Sequence, residues 1–166
     1  MGSEALKRLI ANEFSTPAVV IDLDRVERNI ARVQGLCDSV GLANRPHIKT
    51  HKSPALARMQ VAAGARGITC QKLGEAEVMV EGGLDDILIS YNLIGEEKMR
   101  RLGRLLQRAT ITVAADNAVT IAGLPNAAEI AGRPLDVVIG DDAERAADDI
   151  ERLGRVAGAG AGEAVG

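Results

Sequence analysis

The amino-acid sequence predicts an α/β fold on a parallel sheet, either an open layer or a partial (β/α)8 TIM-type barrel. Three observations predict it. Short apolar runs recur: "GITC" (67–70), "DILIS" (86–90), "TITVA" (110–114) and "LDVVIG" (135–140). They are continuous rather than alternating, as in strands buried on both faces. Segments of helical periodicity separate them, and a repeated strand–helix order builds right-handed crossovers in one sheet. Finally, the 166 residues are too few to close a barrel. They hold about five strand–helix units, whereas eight units take ~250 residues.

The elements follow in order. Residues 1–15 form an N-terminal extension, 16–153 the barrel domain and 154–166 a flexible Gly/Ala tail. "TPAVVID" (16–22) is rich in β-branched residues and reads as a strand. Asp24 caps the next helix, with Glu27 completing a box-like start. Val26, Ile30, Val33 and Leu36 follow at helical spacing, and Gly41 ends the helix. "PHIK" (46–49) is the next strand. Ser53 and Pro54 are the cap and first residue of a helix that reaches Gly64. Helices then cover 72–82, 96–108, 117–132 (interrupted at Pro125) and 142–156.

Composition narrows the function. Hydrophobic residues make up 46% and charged residues 26%, values of an ordinary globular protein. The net charge of -3 argues against a nucleic-acid footprint. No apolar run approaches a membrane span, and the polar N-terminus is no signal peptide, so a cytoplasmic location is expected. Cys37 and Cys70 fit no metal spacing and read as buried free thiols. Phe14 and Tyr91 are the only aromatic residues, so the core must be aliphatic. The tail holds a Gly-x-Gly-x-Gly pattern, but no strand leads into it and no helix follows, so it makes a poor phosphate loop.

The chemistry concentrates in "RPHIKTHKS" (45–53), which holds both histidines of the chain, two lysines and an arginine. If 46–51 ends a barrel strand, residues 47, 49 and 51 share one face. Lys49 would then point into the barrel mouth between His47 and His51, at the strand end where such folds keep their active sites. A lysine enclosed beside other potential cations has a lowered pKa and a nucleophilic amine, which a Schiff base requires. The plainer reading is a solvated loop of polar side chains. A metal site on His47 and His51 is disfavoured, since Pro46 opposes a helix and no carboxylate or cysteine lies close by in sequence. Gln71, at the end of "GITC", is either a ligand contact or a helix-entry residue. Glu75 suits a helix N-terminus structurally. Tyr91, with Asn92 at another strand end, lines the mouth or packs on the next helix.

"RPHIKTHKS", "GITCQKLGEAEVMVEGGLDDILISYNLIG" and the opening "STPAVVIDLDRVERNIARV" resemble the N-terminal half of D-threonine aldolases and eukaryotic-type D-serine dehydratases. These are fold-type III pyridoxal-phosphate enzymes related to the alanine racemase N-terminal domain. The resemblance spans about residues 14–139 and rests on specific strings. It implies that Lys49 carries pyridoxal 5'-phosphate as a Schiff base, with Arg45, His47, Thr50, His51 and Gln71 around it. It implies a D-amino acid substrate whose bonding electrons the cofactor ring accepts, and a divalent metal near the β-hydroxyl whose ligands are not found in this chain. The expected activity is that of a D-threonine aldolase-like lyase, giving glycine and an aldehyde from D-β-hydroxy amino acids. The chain is expected to be incomplete, with little activity, and to self-associate as a fragment or homo-oligomer. D-Serine dehydratase-like chemistry and a non-catalytic pyridoxal-phosphate-binding protein are the alternatives.

Overall fold

A computed structural model of the chain describes residues 3–14 and 17–139. The helices are α1 (Ser3–Glu13), α2 (Leu23–Ser39), α3 (Pro54–Ala62), α4 (Leu73–Glu81), α5 (Glu96–Leu106) and α6 (Ala118–Ala131). A short 3-10 turn covers Ile48–Thr50. The strands are β1 (Ile68–Cys70), β2 (Asp86–Ile89), β3 (Thr110–Ala115) and β4 (Asp136–Ile139). They lie side by side in chain order, every pair parallel. Neighbouring strands joined in this sense place their crossover helices on one face, which makes an arc of a barrel.

The two faces of the sheet differ. Ile87, Ile89, Ile111 and Val113 are buried and pack with Leu73, Met79, Leu102 and Leu124 from α4, α5 and α6. The core is aliphatic, as a chain with so few aromatics requires. On the other face Leu88 aligns with Thr112, and Ala114 with Val138. These side chains are half-buried or exposed, because they line the open interior of the arc. Gly103 lets α5 and α6 approach: a Cβ there would stand 2.6 Å from Ile130 Cγ2.

The parallel α/β arc agrees with the sequence, but several elements differ. Residues 17–22 form no strand. They have no regular structure and are exposed, with Val19 at 93%. A β-branched run makes a strand only where a neighbour supplies the ladder. The 46–49 strand shrinks to one parallel bridge between His47 and Thr69. Pro46 brings no N–H to a ladder, and the chain turns into the 3-10 segment immediately afterwards. The cap of α2 is Asp22, whose carboxylate accepts the Arg25 N–H at 3.1 Å, rather than Asp24. Helix α6 runs unbroken through Pro125. Burial of Leu124, Ala127 and Ala128 outweighs the hydrogen bond the proline forgoes. The extension is helical in α1, and Cys37 is half-buried rather than buried. The predicted 142–156 helix and the tail lie outside the described residues.

Candidate functional site

Three short connections converge at the carboxyl end of the sheet. The first is the turn after His47. His47 Nδ1 accepts the Lys49 N–H at 3.2 Å, which places the ring proton on Nε2. That nitrogen faces Gln71 Oε1 at 3.2 Å and Ser90 Oγ at 3.4 Å. Gln71 directly follows β1 and Ser90 directly follows β2. The Ser90 hydroxyl donates in turn to the Cys70 carbonyl at 3.3 Å. His47, Gln71 and Ser90 thus form a polar row across three neighbouring segments, on the open face of the sheet. Ser90 escaped the sequence reading. Its place in the period-two register, two residues beyond Leu88, was the available signal.

Lys49 lies in the 3-10 turn and is exposed, not enclosed between two histidines. The alternation expected of a strand does not apply to a turn, and it is Ile48 that is buried. Among the described residues no ion pair or hydrogen bond engages the Lys49 ammonium. Thr50 is exposed beside it. Lys52 is exposed too, but its ammonium is paired with Glu75 Oε1. Glu75 Oε2 accepts the Gln71 N–H at 2.8 Å. Burial alone would raise the Glu75 carboxyl, but the bonds from Lys52 and Gln71 hold it below the usual range.

His51 stands apart from the row. Its Nδ1 accepts the Ser53 N–H at 3.0 Å, tying the turn to the start of α3. Among the described residues its buried Nε2 has no partner within hydrogen-bond geometry, nor has Oε1 of the neighbouring Gln60. Burial holds its pKa below the ordinary imidazole value, with Gln60 acting the other way. Arg45 lies at the opposite end of the strands, where its guanidinium bonds Asp86 Oδ1 at 2.8 Å. Its carbonyl accepts the Thr69 hydroxyl at 3.3 Å. Gly67 makes room for this pair: a Cβ there would collide with Asp86 O and meet Arg45 Nη1 at 2.6 Å. Burial and the neighbouring Glu75 push the Cys70 thiol up to about 12, so it is an inert core thiol. Tyr91 is exposed at the mouth.

A parallel barrel arc carrying a lysine turn at its carboxyl end defines a class of α/β domain that holds ligands at that end. The chain belongs to the alanine racemase, N-terminal domain family, whose model matches residues 21–164. It is 42% identical over 124 residues to a D-threonine aldolase from Arthrobacter sp, covering 75% of this chain and 33% of that protein. It is 44% identical over 115 residues to a D-threo-3-hydroxyaspartate dehydratase from Delftia sp. (strain HT23), covering 66% of this chain and 30% of that protein. The crystal structure of D-threonine aldolase from Filomicrobium marinum superposes with a TM-score of 0.73 at 42% identity, over 75% of this chain and 34% of that one. The chain thus spans about a third of the length of these relatives. No helix among the described residues is long and apolar enough to cross a membrane.

Proposed function

We propose that this chain serves a pyridoxal-phosphate-dependent lyase acting on D-β-hydroxy amino acids, aldolase-like in type, with glycine and an aldehyde as products. The observation that carries this reading is the exposed Lys49, whose ammonium no described ion pair or hydrogen bond engages, in the turn that follows His47 of the His47–Gln71–Ser90 row at the carboxyl end of the arc. The residues present fit the cofactor: the Lys49 side chain offers a primary amine for its aldehyde, and His47, Gln71 and Ser90 offer polar groups at the same end of the arc. When bound, the cofactor supplies an electron-accepting ring to the bond that breaks.

The chain's own residues do the rest. Lys49 is the amine that holds the cofactor. Gln71 takes the His47 Nε2 proton on its carbonyl oxygen, which leaves its N–H groups for a ligand. His47 fixes that amide, and Ser90 meets the His47 ring from the other side of the row. Arg45 and His51 support from a distance, Arg45 through the Asp86 pair and His51 by holding Ser53. The expectation of a divalent metal rests on the resemblance alone, and no group of three or more potential ligand side chains occurs among the described residues. The exposed apolar side chains of Val19, Val20 and Val138 support self-association into a homo-oligomer.

The relative named as a dehydratase favours a second reading, in which the β-hydroxyl leaves and ammonia is released. One experiment separates them. The chain is incubated with pyridoxal phosphate and D-threonine or D-threo-3-hydroxyaspartate, and glycine, aldehyde and ammonia are measured. Glycine and aldehyde should form faster than with free pyridoxal phosphate, and Lys49→Ala should abolish the difference. Ammonia in their place assigns the dehydratase. Neither product, or rates indifferent to Lys49, overturns the lyase reading.

A further inference from the structure

Lys52 has a φ of 51°, the only positive value at a non-glycine residue among those described. That region is disfavoured for any residue with a Cβ, and glycine would suit it better. Such an outlier persists where the surroundings hold it. Here the hold is visible. The Lys52 side chain, 58% exposed, reaches the carboxylate of a Glu75 side chain that is only 9% exposed. Glu75 in turn binds the backbone of Gln71 at 2.8 Å. The Gln71 side chain meets His47 at 3.2 Å, and His47 accepts the Lys49 N–H at 3.2 Å. Lys52 N–H donates back to Ile48 O at 2.8 Å. These bonds close a ring around the turn that carries Lys49.

We propose that Glu75 and Lys52 are positioning residues for Lys49: the pair locks the turn against the end of β1 and so presents the Lys49 amine to its aldehyde. The inference rests on the reading of Lys49 as the reactive amine. Ile48 is the turn's only buried side chain, so without the ring the turn has a single apolar anchor. The same helix offers a control. Glu77 binds Arg101 of α5, with Nε to Oε1 at 2.8 Å, and this pair takes no part in the ring.

Reductive trapping tests it. A lysine amine condenses with the aldehyde of pyridoxal phosphate, losing water, and borohydride delivers hydride to the C=N bond to leave a stable secondary amine. Peptide mapping then gives the label at Lys49 relative to Lys98, an exposed lysine on α5 that serves as internal reference. Glu75→Gln and Lys52→Gly should each lower this ratio by about tenfold or more, the scale on which a misplaced reacting group loses rate. Lys52→Gly is the sharper variant, because glycine accepts the positive φ and the fold, followed by circular dichroism, is retained. Lys52→Arg, which keeps a cation opposite Glu75, should recover most of the ratio, and Glu77→Gln should leave it unchanged. An unchanged ratio in Lys52→Gly, or an equal loss in Glu77→Gln, overturns the proposal. A wild-type chain with no preference for Lys49 overturns the reactive-lysine reading instead.

Discussion

Val19-Val20-Ile21 and Ile68-Thr69-Cys70 are both short runs rich in β-branched residues, yet only the second is a strand. Residues 68–70 are buried and pair with β2 in register, Ile68 with Ile87 and Cys70 with Ile89. Residues 19–21 are exposed, have no regular structure and pair with nothing described. The intrinsic preference is the same in both, so the difference lies in the neighbours. A strand is stabilised by a ladder and a covered face, and the arc provides those to one run and not to the other.

The largest test of this contrast is a pair of truncations. Ile87→Ala removes a fully buried side chain from the centre of the sheet and should cost about 2–5 kcal/mol. Ile21→Ala removes an exposed one and should change stability by no more than about 0.5 kcal/mol. Urea unfolding of both variants checks this, and comparable losses would break the contrast.

A smaller effect is expected where the strands begin. Gly67→Ala places a methyl group against Asp86 O and the Arg45 guanidinium. Such overpacking should cost about 1–3 kcal/mol, and the double variant Gly67→Ala/Arg45→Ala should recover part of it. Recovery would show that the close approach serves the Arg45–Asp86 pair rather than the backbone alone.

The smallest effect concerns the turn between the two regions, and it is a pH dependence. Burial lowers the pKa of folded His51 below its unfolded value, so its contribution is fully present above about pH 6.5 and lost as pH falls through the folded value. The carboxyls of Glu75 and Glu77 are also lowered in the fold. Their contributions are present above about pH 4.3 and are lost at still lower pH. Stability should therefore decline in two stages on acidification. His51→Asn, whose carbonyl oxygen can accept the Ser53 N–H, should remove the first stage. Urea midpoints across a pH series measure this; stability that rises between pH values of about 6.5 and 5 would contradict the sign.

The regular part of the fold was legible in the sequence. "GITC", "DILIS", "TITVA" and "LDVVIG" sit within a residue or two of β1–β4, because a continuous apolar run between helices has few other places to go. Ser53-Pro54 and Asn117 mark helix starts as their capping chemistry requires. Long-range contacts decided the rest. Pro125 predicts a break, yet packing of α6 on α5 carries the helix through it. Strand alternation puts Lys49 between the two histidines, whereas the His47 Nδ1 bond to its amide starts a turn. Ser90 and the Lys52–Glu75 pair reach the site only when β1, β2 and α4 come together, at separations of 43 and 23 residues. The period-two register gives the face of Ser90 but not its partner, and no local pattern announces the Lys52–Glu75 contact.

Lys49, among all the lysines, is proposed as the amine that takes pyridoxal phosphate. Trapping the wild-type chain with pyridoxal phosphate and borohydride, then mapping the modified peptide, tests it directly. One dominant adduct, at Lys49, is expected. A dominant adduct at Lys52 or Lys72, or label spread evenly over the exposed lysines, would contradict it.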